Sequence, residues 1–187
     1  MLISFKNLAS AAFPVISDTT ASATPLAILK EGGIAPSLEQ LFFGVHGGAI
    51  GETCILALLA GGIYLICRKV ISWHTPVVFI GTVFLFTLAL TCDFTVTLKY
   101  VLSGGLFLGA FFMATDYVTT PTTPTGRAIF GLGCGIITVV IRFWGSYPEG
   151  VSFAILLMNI LTPYIDKWTA RRTFGAPRSV KEGGSAK

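Results

Sequence analysis

Thr24 stands in the stretch Asp18-Thr-Thr-Ala-Ser-Ala-Thr24-Pro25-Leu26, and its hydroxyl decides what the stretch can do. Proline is favoured at the first helical position, and a threonine before it offers its oxygen to the amides of the first turn, so Thr24-Pro25 reads as a helix start. Asp18 suits a turn or a cap in the same way. A second set of groups is acidic. Glu52, Asp93, Asp116, Glu149 and Asp166 all lie in or beside apolar runs, and an ionisable group at membrane depth is costly enough to be a functional candidate. Glu52 lies about a turn inside a glycine-rich helix start (Gly47, Gly48, Gly51), where it is placed for ion contact; the other four sit at the ends of apolar segments. Asp116 also precedes a Thr/Pro-rich loop. Metal chemistry is not expected: His46 and His74 are isolated, and Cys54, Cys67, Cys92 and Cys134 form no ligand spacing and read as buried thiols.

The elements that must position these groups are membrane helices. Of 187 residues, 53% are hydrophobic and 12% charged, about half the charge of an ordinary soluble domain. The mean hydropathy is +0.77. Such a chain cannot cover an apolar core with polar surface, so it belongs in lipid. Five apolar segments are expected to span: 48–67, 76–92, 100–115, 128–144 and 151–165. The expected fold is therefore an all-α membrane protein with about five transmembrane helices. Residues 1–42 form an extracytoplasmic lead-in punctuated by prolines and glycines, 43–168 the helical membrane domain, and 169–187 a polar, disordered cytoplasmic tail. In the lead-in, Ser37-Leu-Glu-Gln40 fits a capping box. Ala21-Ser22-Ala23 has the small residues of a signal-peptidase site, but Pro14 interrupts the apolar run before it, and the segment is read as retained.

Charge sets the orientation. If the five segments alternate, Arg68, Lys69, Arg127, Lys167, Arg171, Arg172, Arg178, Lys181 and Lys187 fall on one side. Lys6, Lys30, Lys99 and Arg142 fall on or near the other. The C-terminus is expected in the cytoplasm of a cell membrane and Thr24 outside. A net charge of +4 distributed this way does not suggest nucleic-acid binding. Gly44/Gly48, Gly105/Gly109 and Gly131/Gly135 have GxxxG spacing, which brings helix backbones close in lipid. Trp73, Trp144 and Trp168 fit an interfacial belt.

Four ordered motifs resemble the RnfD/NqrB family of membrane flavoproteins, most closely the C-terminal part of its Rnf D-type members. They are Asp18 to Leu26; Gly47-Gly-Ala-Ile-Gly-Glu-Thr-Cys to Tyr64; Gly104-Gly-Leu-Phe-Leu-Gly-Ala-Phe-Phe-Met-Ala-Thr-Asp116, continuing to Gly126; and Arg142-Phe-Trp-Gly-Ser-Tyr-Pro-Glu to Asn159, with Pro163 and Asp166 beyond it. Ala21 stands where the family usually has Ser or Thr. The resemblance implies FMN joined to Thr24 through a phosphoester. Thr24 is then an attachment point and not a catalytic base. Asp18 and Ser22 belong to the sequence a flavin transferase reads, and Glu52 and Asp116 are weaker candidates for cofactor or ion contact. It also allows riboflavin or a second flavin in the full complex. The implied function is that of one component of a redox-driven translocase: an electron relay between reduced ferredoxin and NAD, coupled to Na⁺ or H⁺ movement. Membrane and peripheral Rnf-type subunits, the transferase and lipid are the implied partners. Family members carry further helices before the flavin threonine, so this chain reads as a truncated form, split subunit or fragment. The competing reading is a non-redox membrane scaffold or transporter fragment whose glycine-rich helices serve packing alone.

Overall fold

The computed structural model describes residues 24–30, 37–44, 54–147 and 149–169. Asp18, Ser22, Glu52, His46 and the tail beyond Thr169 lie outside them. All regular structure among the described residues is helical. In chain order it comprises α1 (Pro25–Lys30), α2 (Leu38–Phe43), α3 (Ile55–Cys67), α4 (His74–Thr91), α5 (Phe94–Leu102), α6 (Leu106–Leu108, running into a π-helical turn Gly109–Met113), α7 (Pro124–Trp144) and α8 (Val151–Thr169).

Local chemistry starts and stops these helices. Ser37 and Gln40 form the capping box, each side chain bonded to the other's backbone N–H, and Gly44 closes α2 in the left-handed region at φ 81°. Thr123 accepts from the Gly126 N–H at 3.1 Å with Pro124 at the first position of α7.

The α4–α7 pair is the centre of the fold. Thr75, Phe79, Thr82 and Val83 repeat at helical spacing on α4, and Phe130, Cys134, Thr138 and Val139 do so on α7; all eight are buried. Glycine allows the approach. A Cβ on Gly131 would fall 2.9 Å from the Thr75 carbonyl oxygen, and one on Gly135 would fall 2.6 Å from Thr82 Cβ. On α8, Val151, Ile155, Met158, Thr162 and Ile165 face inward, while Phe153, Leu156, Ile160, Tyr164 and Trp168 face out. Three hydroxyls in the bundle are met by their own helices: Thr82 donates to the Val78 carbonyl at 2.7 Å, Thr138 to Cys134 at 2.8 Å and Thr162 to Met158 at 3.1 Å, whereas the buried hydroxyls of Thr75 and Thr87 have no hydrogen-bond partner among the described residues.

Two helices, α4 and α7, are long and apolar enough to cross a membrane, and α5 with the α6 segment makes a third candidate as a pair bent by 64°. Apolar α3 has only 13 residues. The 19-residue α8 carries Pro163, Asp166 and Lys167 in its second half. The expected single span over 100–115 is corrected. α5 ends at Leu102, Gly104 turns left-handed at φ 73°, and a new helical segment begins at Leu106. Only a residue without Cβ takes that turn at no steric cost, so Gly104-Gly105 breaks the helix where the spacing to Gly109 suggests continuous packing. Gly109 does pack closely, its Cβ position falling against Val151 Cγ1.

Candidate functional site

Thr24 is half-buried at the start of α1. Its carbonyl accepts from the Ile28 N–H at 3.1 Å, and its Oγ1 accepts from the Ala27 N–H at a long 3.4 Å. The hydroxyl is therefore only loosely engaged. What fixes α1 is its other residues. Pro25 and Leu26 are buried, and the Lys30 ammonium donates to the Gly145 carbonyl and, at 3.2 Å, to the Tyr147 carbonyl. These two bonds place α1 on the turn between α7 and α8, at the Gly145 end of the bundle.

The helix break lies at the same end. A helix break frees carbonyls at one helix end and amides at the next, and where these are buried they need partners within the protein. Arg142, 2% exposed, donates from Nη1 to the Tyr100 carbonyl at 2.8 Å and from Nη2 to the Ser103 carbonyl at 3.4 Å. The Glu149 carboxylate accepts from the Gly105 N–H. A cation thus caps the C-terminus of α5 and an anion the N-terminus of α6, which also suits the two helix dipoles. The same two side chains crowd Gly104: a Cβ there would collide with Glu149 Oε1 and lie 3.4 Å from Arg142 Nη2. Tyr100 stacks on Phe143 with centroids 5.2 Å apart.

Charge placement puts Arg142 on or near the outer side; the structure buries it, and two of its partners are backbone carbonyls that sequence alone gives no reason to find unpaired. Glu149, a functional candidate at the end of an apolar segment, holds the break. Asp166 is likewise occupied, accepting from the Thr122 N–H at 3.0 Å and the Thr122 hydroxyl at 3.2 Å. Asp93 is exposed and precedes α5 without a side-chain cap. Asp116 is exposed, and its Oδ2 accepts from Thr119 at 3.4 Å. It lies near the Pro124 end of α7. A helix of 21 residues is about 31 Å long, so Thr24 and Asp116 serve opposite ends of the molecule and do not share a site.

Cys134 alone of the four cysteines is buried; Cys67 and Cys92 are exposed and Cys54 intermediate, which corrects the expectation of four buried thiols. Among the described residues no cluster of His, Cys, Asp or Glu is placed to hold a metal. His74 stacks on Trp73 at 4.2 Å.

Similarity across the whole sequence decides the family. A sequence profile of the NQR2, RnfD, RnfE family matches residues 1–175. The chain belongs to this family. Among curated relatives, it is 47% identical over 180 residues to the D-type subunit of the Na⁺-translocating ferredoxin:NAD⁺ oxidoreductase complex of Acetobacterium woodii, covering 94% of this chain and 56% of that protein. It is 47% identical over 175 residues to the D-type subunit of the proton-translocating ferredoxin:NAD⁺ oxidoreductase complex of Clostridium ljungdahlii, covering 86% and 53%. To the D-type subunit of the ion-translocating oxidoreductase complex of Pseudomonas paraeruginosa the identity is 40% over 179 residues, covering 89% and 52%. The chain spans about half the length of the curated relatives it matches. Membership of the family agrees with helices apolar enough for a membrane.

Proposed function

We propose that this chain is a membrane component of a ferredoxin:NAD⁺ oxidoreductase of the Rnf type, and that it carries FMN as a phosphoester on Thr24 and relays electrons during Na⁺ or H⁺ translocation. The observation that carries the reading is Thr24 itself: it stands in the Asp18-to-Leu26 motif of a chain 47% identical to the D-type subunits of two ion-translocating complexes. The local structure fits the attachment. Thr24 is half-buried and its Oγ1 is held by one long hydrogen bond, so esterifying it sacrifices little. The buried Pro25–Leu26 pair and the Lys30 bonds hold the peptide in place whether or not the oxygen is esterified. A covalent FMN supplies one- and two-electron transfer at a position fixed by its tether. The chain's own contributions are the acceptor oxygen of Thr24, the clamp through Lys30, and the capped break beside it.

Thr24 lies outside and the Arg127 end in the cytoplasm in this reading. Lys30 docks α1 on the Gly145 end, opposite Arg127 and Lys167, and burial of Arg142 removes one cation from the outer side, which sharpens the charge asymmetry. The transferase and the other members of the complex supply what no motif in this chain provides. The direct test is the mass of the denatured chain after co-expression with its transferase. A gain of one FMN less water, mapped to Thr24, is expected. An unmodified chain in a host that flavinylates a family member would favour the scaffold reading.

A further inference from the structure

The Arg127 end holds a cavity of about 400 Å³ that the electron-relay reading does not use. Three separate segments build it: the end of α3 and its turn (Ile66 to Trp73), the segment after the π-turn (Thr115 to Thr120), and Arg127 from the first turn of α7. The Tyr117 hydroxyl donates to the Val70 carbonyl and ties two walls together.

Its charged lining is Lys69, Arg127 and Asp116. Arg127 spends Nε on the Pro121 carbonyl at 2.9 Å, which orients the guanidinium; its Nη atoms and the Lys69 ammonium have no hydrogen-bond partner among the described residues. Asp116 has turned one oxygen to Thr119. The formal sum is one positive charge, which matches a phosphodiester monoanion and leaves a phosphate monoester dianion under-compensated.

Lys69 is there at a backbone cost. It adopts φ 56°, one of two non-glycine residues with positive φ among those described. Its N–H bonds to the Ile66 carbonyl at 2.9 Å, and that of Val70 to Leu65 at 3.0 Å. This is a left-handed helix C-cap, where glycine is the favoured residue. A lysine in that place supplies a cation to the cavity that the cheaper residue would not. Trp73, 55% exposed at the cavity wall and at the start of α4, has the position of an interfacial aromatic.

From this we infer that the cavity binds the headgroup of an anionic phospholipid, with Lys69 and Arg127 on the phosphodiester and Asp116 accepting from a headgroup hydroxyl. Basic pockets at helix ends on the cytoplasmic side are suited to such headgroups. The inference rests on the membrane placement of the chain and is independent of flavin attachment.

The test is native mass spectrometry of the full chain released from nanodiscs of phosphatidylcholine containing phosphatidylglycerol. One retained phosphatidylglycerol per chain is expected, in preference to phosphatidylcholine. Each of Lys69→Gln and Arg127→Gln should weaken retention about fivefold. Lys69→Gly separates folding from binding: relieved of the left-handed lysine, it should melt higher yet show the same roughly fivefold weakening of retention. Equal retention of both lipids, or full retention by the Lys69→Gln/Arg127→Gln double variant, would overturn the inference. So would displacement of the lipid by millimolar inorganic phosphate or free FMN, which would assign the cavity to a soluble phosphate ligand. Because attached FMN is read as a separate covalent mass, loss of lipid and loss of flavin are distinguishable in one spectrum.

Discussion

Thr24 has two separable tasks, capping α1 and offering an acceptor oxygen, and substitution can divide them. Thr24→Ala removes both and should cost the weakly bonded cap only about 0.5 kcal/mol as well as the attached FMN. Thr24→Asn keeps a capping oxygen but no esterifiable hydroxyl, so the chain should fold as well as the parent and emerge without FMN in the intact mass. Flavin retained by the Asn variant would place the attachment elsewhere. Arg142 is the other residue whose role is specific. Arg142 is 2% exposed and donates to two carbonyls at the break, so Arg142→Met should destabilise by about 3 kcal/mol, seen as a lowered melting temperature in detergent. The Thr24-Pro25 cap and the Ser37/Gln40 box are legible in the sequence because both ends of each interaction lie within three or four residues. Arg142 is not, since its partners lie about forty residues away and become available only through the break. Lys69 is legible as a basic residue at a helix end, but no sequence pattern announces its left-handed backbone.

At the scale of the helices, glycine serves three distinct purposes. Gly131 and Gly135 let α4 and α7 touch; Gly104 breaks a helix; Gly81 faces open space, with nothing within 4 Å of its Cβ position. The same substitution should therefore have opposite signs. Gly81→Ala should raise stability by about 0.5–1 kcal/mol by stiffening a helix interior. Gly135→Ala and Gly104→Ala should lower it, the first by pushing α4 away from α7 and the second by combining positive φ with a clash on Glu149. Thermal melts of the three variants in one detergent check this; equal effects would mean that the helix contacts do not govern stability. The expected spans 76–92 and 128–144 correspond closely to α4 and α7, because long uninterrupted apolar runs leave little choice in lipid. The expected span 100–115 is not one continuous helix, because a GxxxG spacing and a Gly-Gly break look alike in sequence. What separates them is tertiary: the presence of Arg142 and Glu149 to satisfy the freed backbone.

For the whole molecule, the flavin threonine and the basic cavity belong at opposite membrane faces in the proposed reading. Two native cysteines report on this. Cys67 ends α3 beside the cavity wall and Cys92 closes α4 at the other end, and both are exposed. In intact cells a membrane-impermeant maleimide should label Cys92 and reach Cys67 only after permeabilisation, as scored with Cys67→Ser and Cys92→Ser variants. The reverse order would invert the topology and move Thr24 inside. Family and membrane character are legible from ordered motifs and composition. The cavity is not, since its walls come from three segments separated in the sequence, although Asp116 and its Thr/Pro-rich loop mark one of them. The central claim is that this chain carries its redox cofactor covalently. It is tested most directly by weighing the denatured full chain after co-expression with the flavin transferase and mapping the peptide around Thr24. A single addition of FMN less water on Thr24 is the expected result; an unmodified mass, in a host that flavinylates another family member, would contradict the claim.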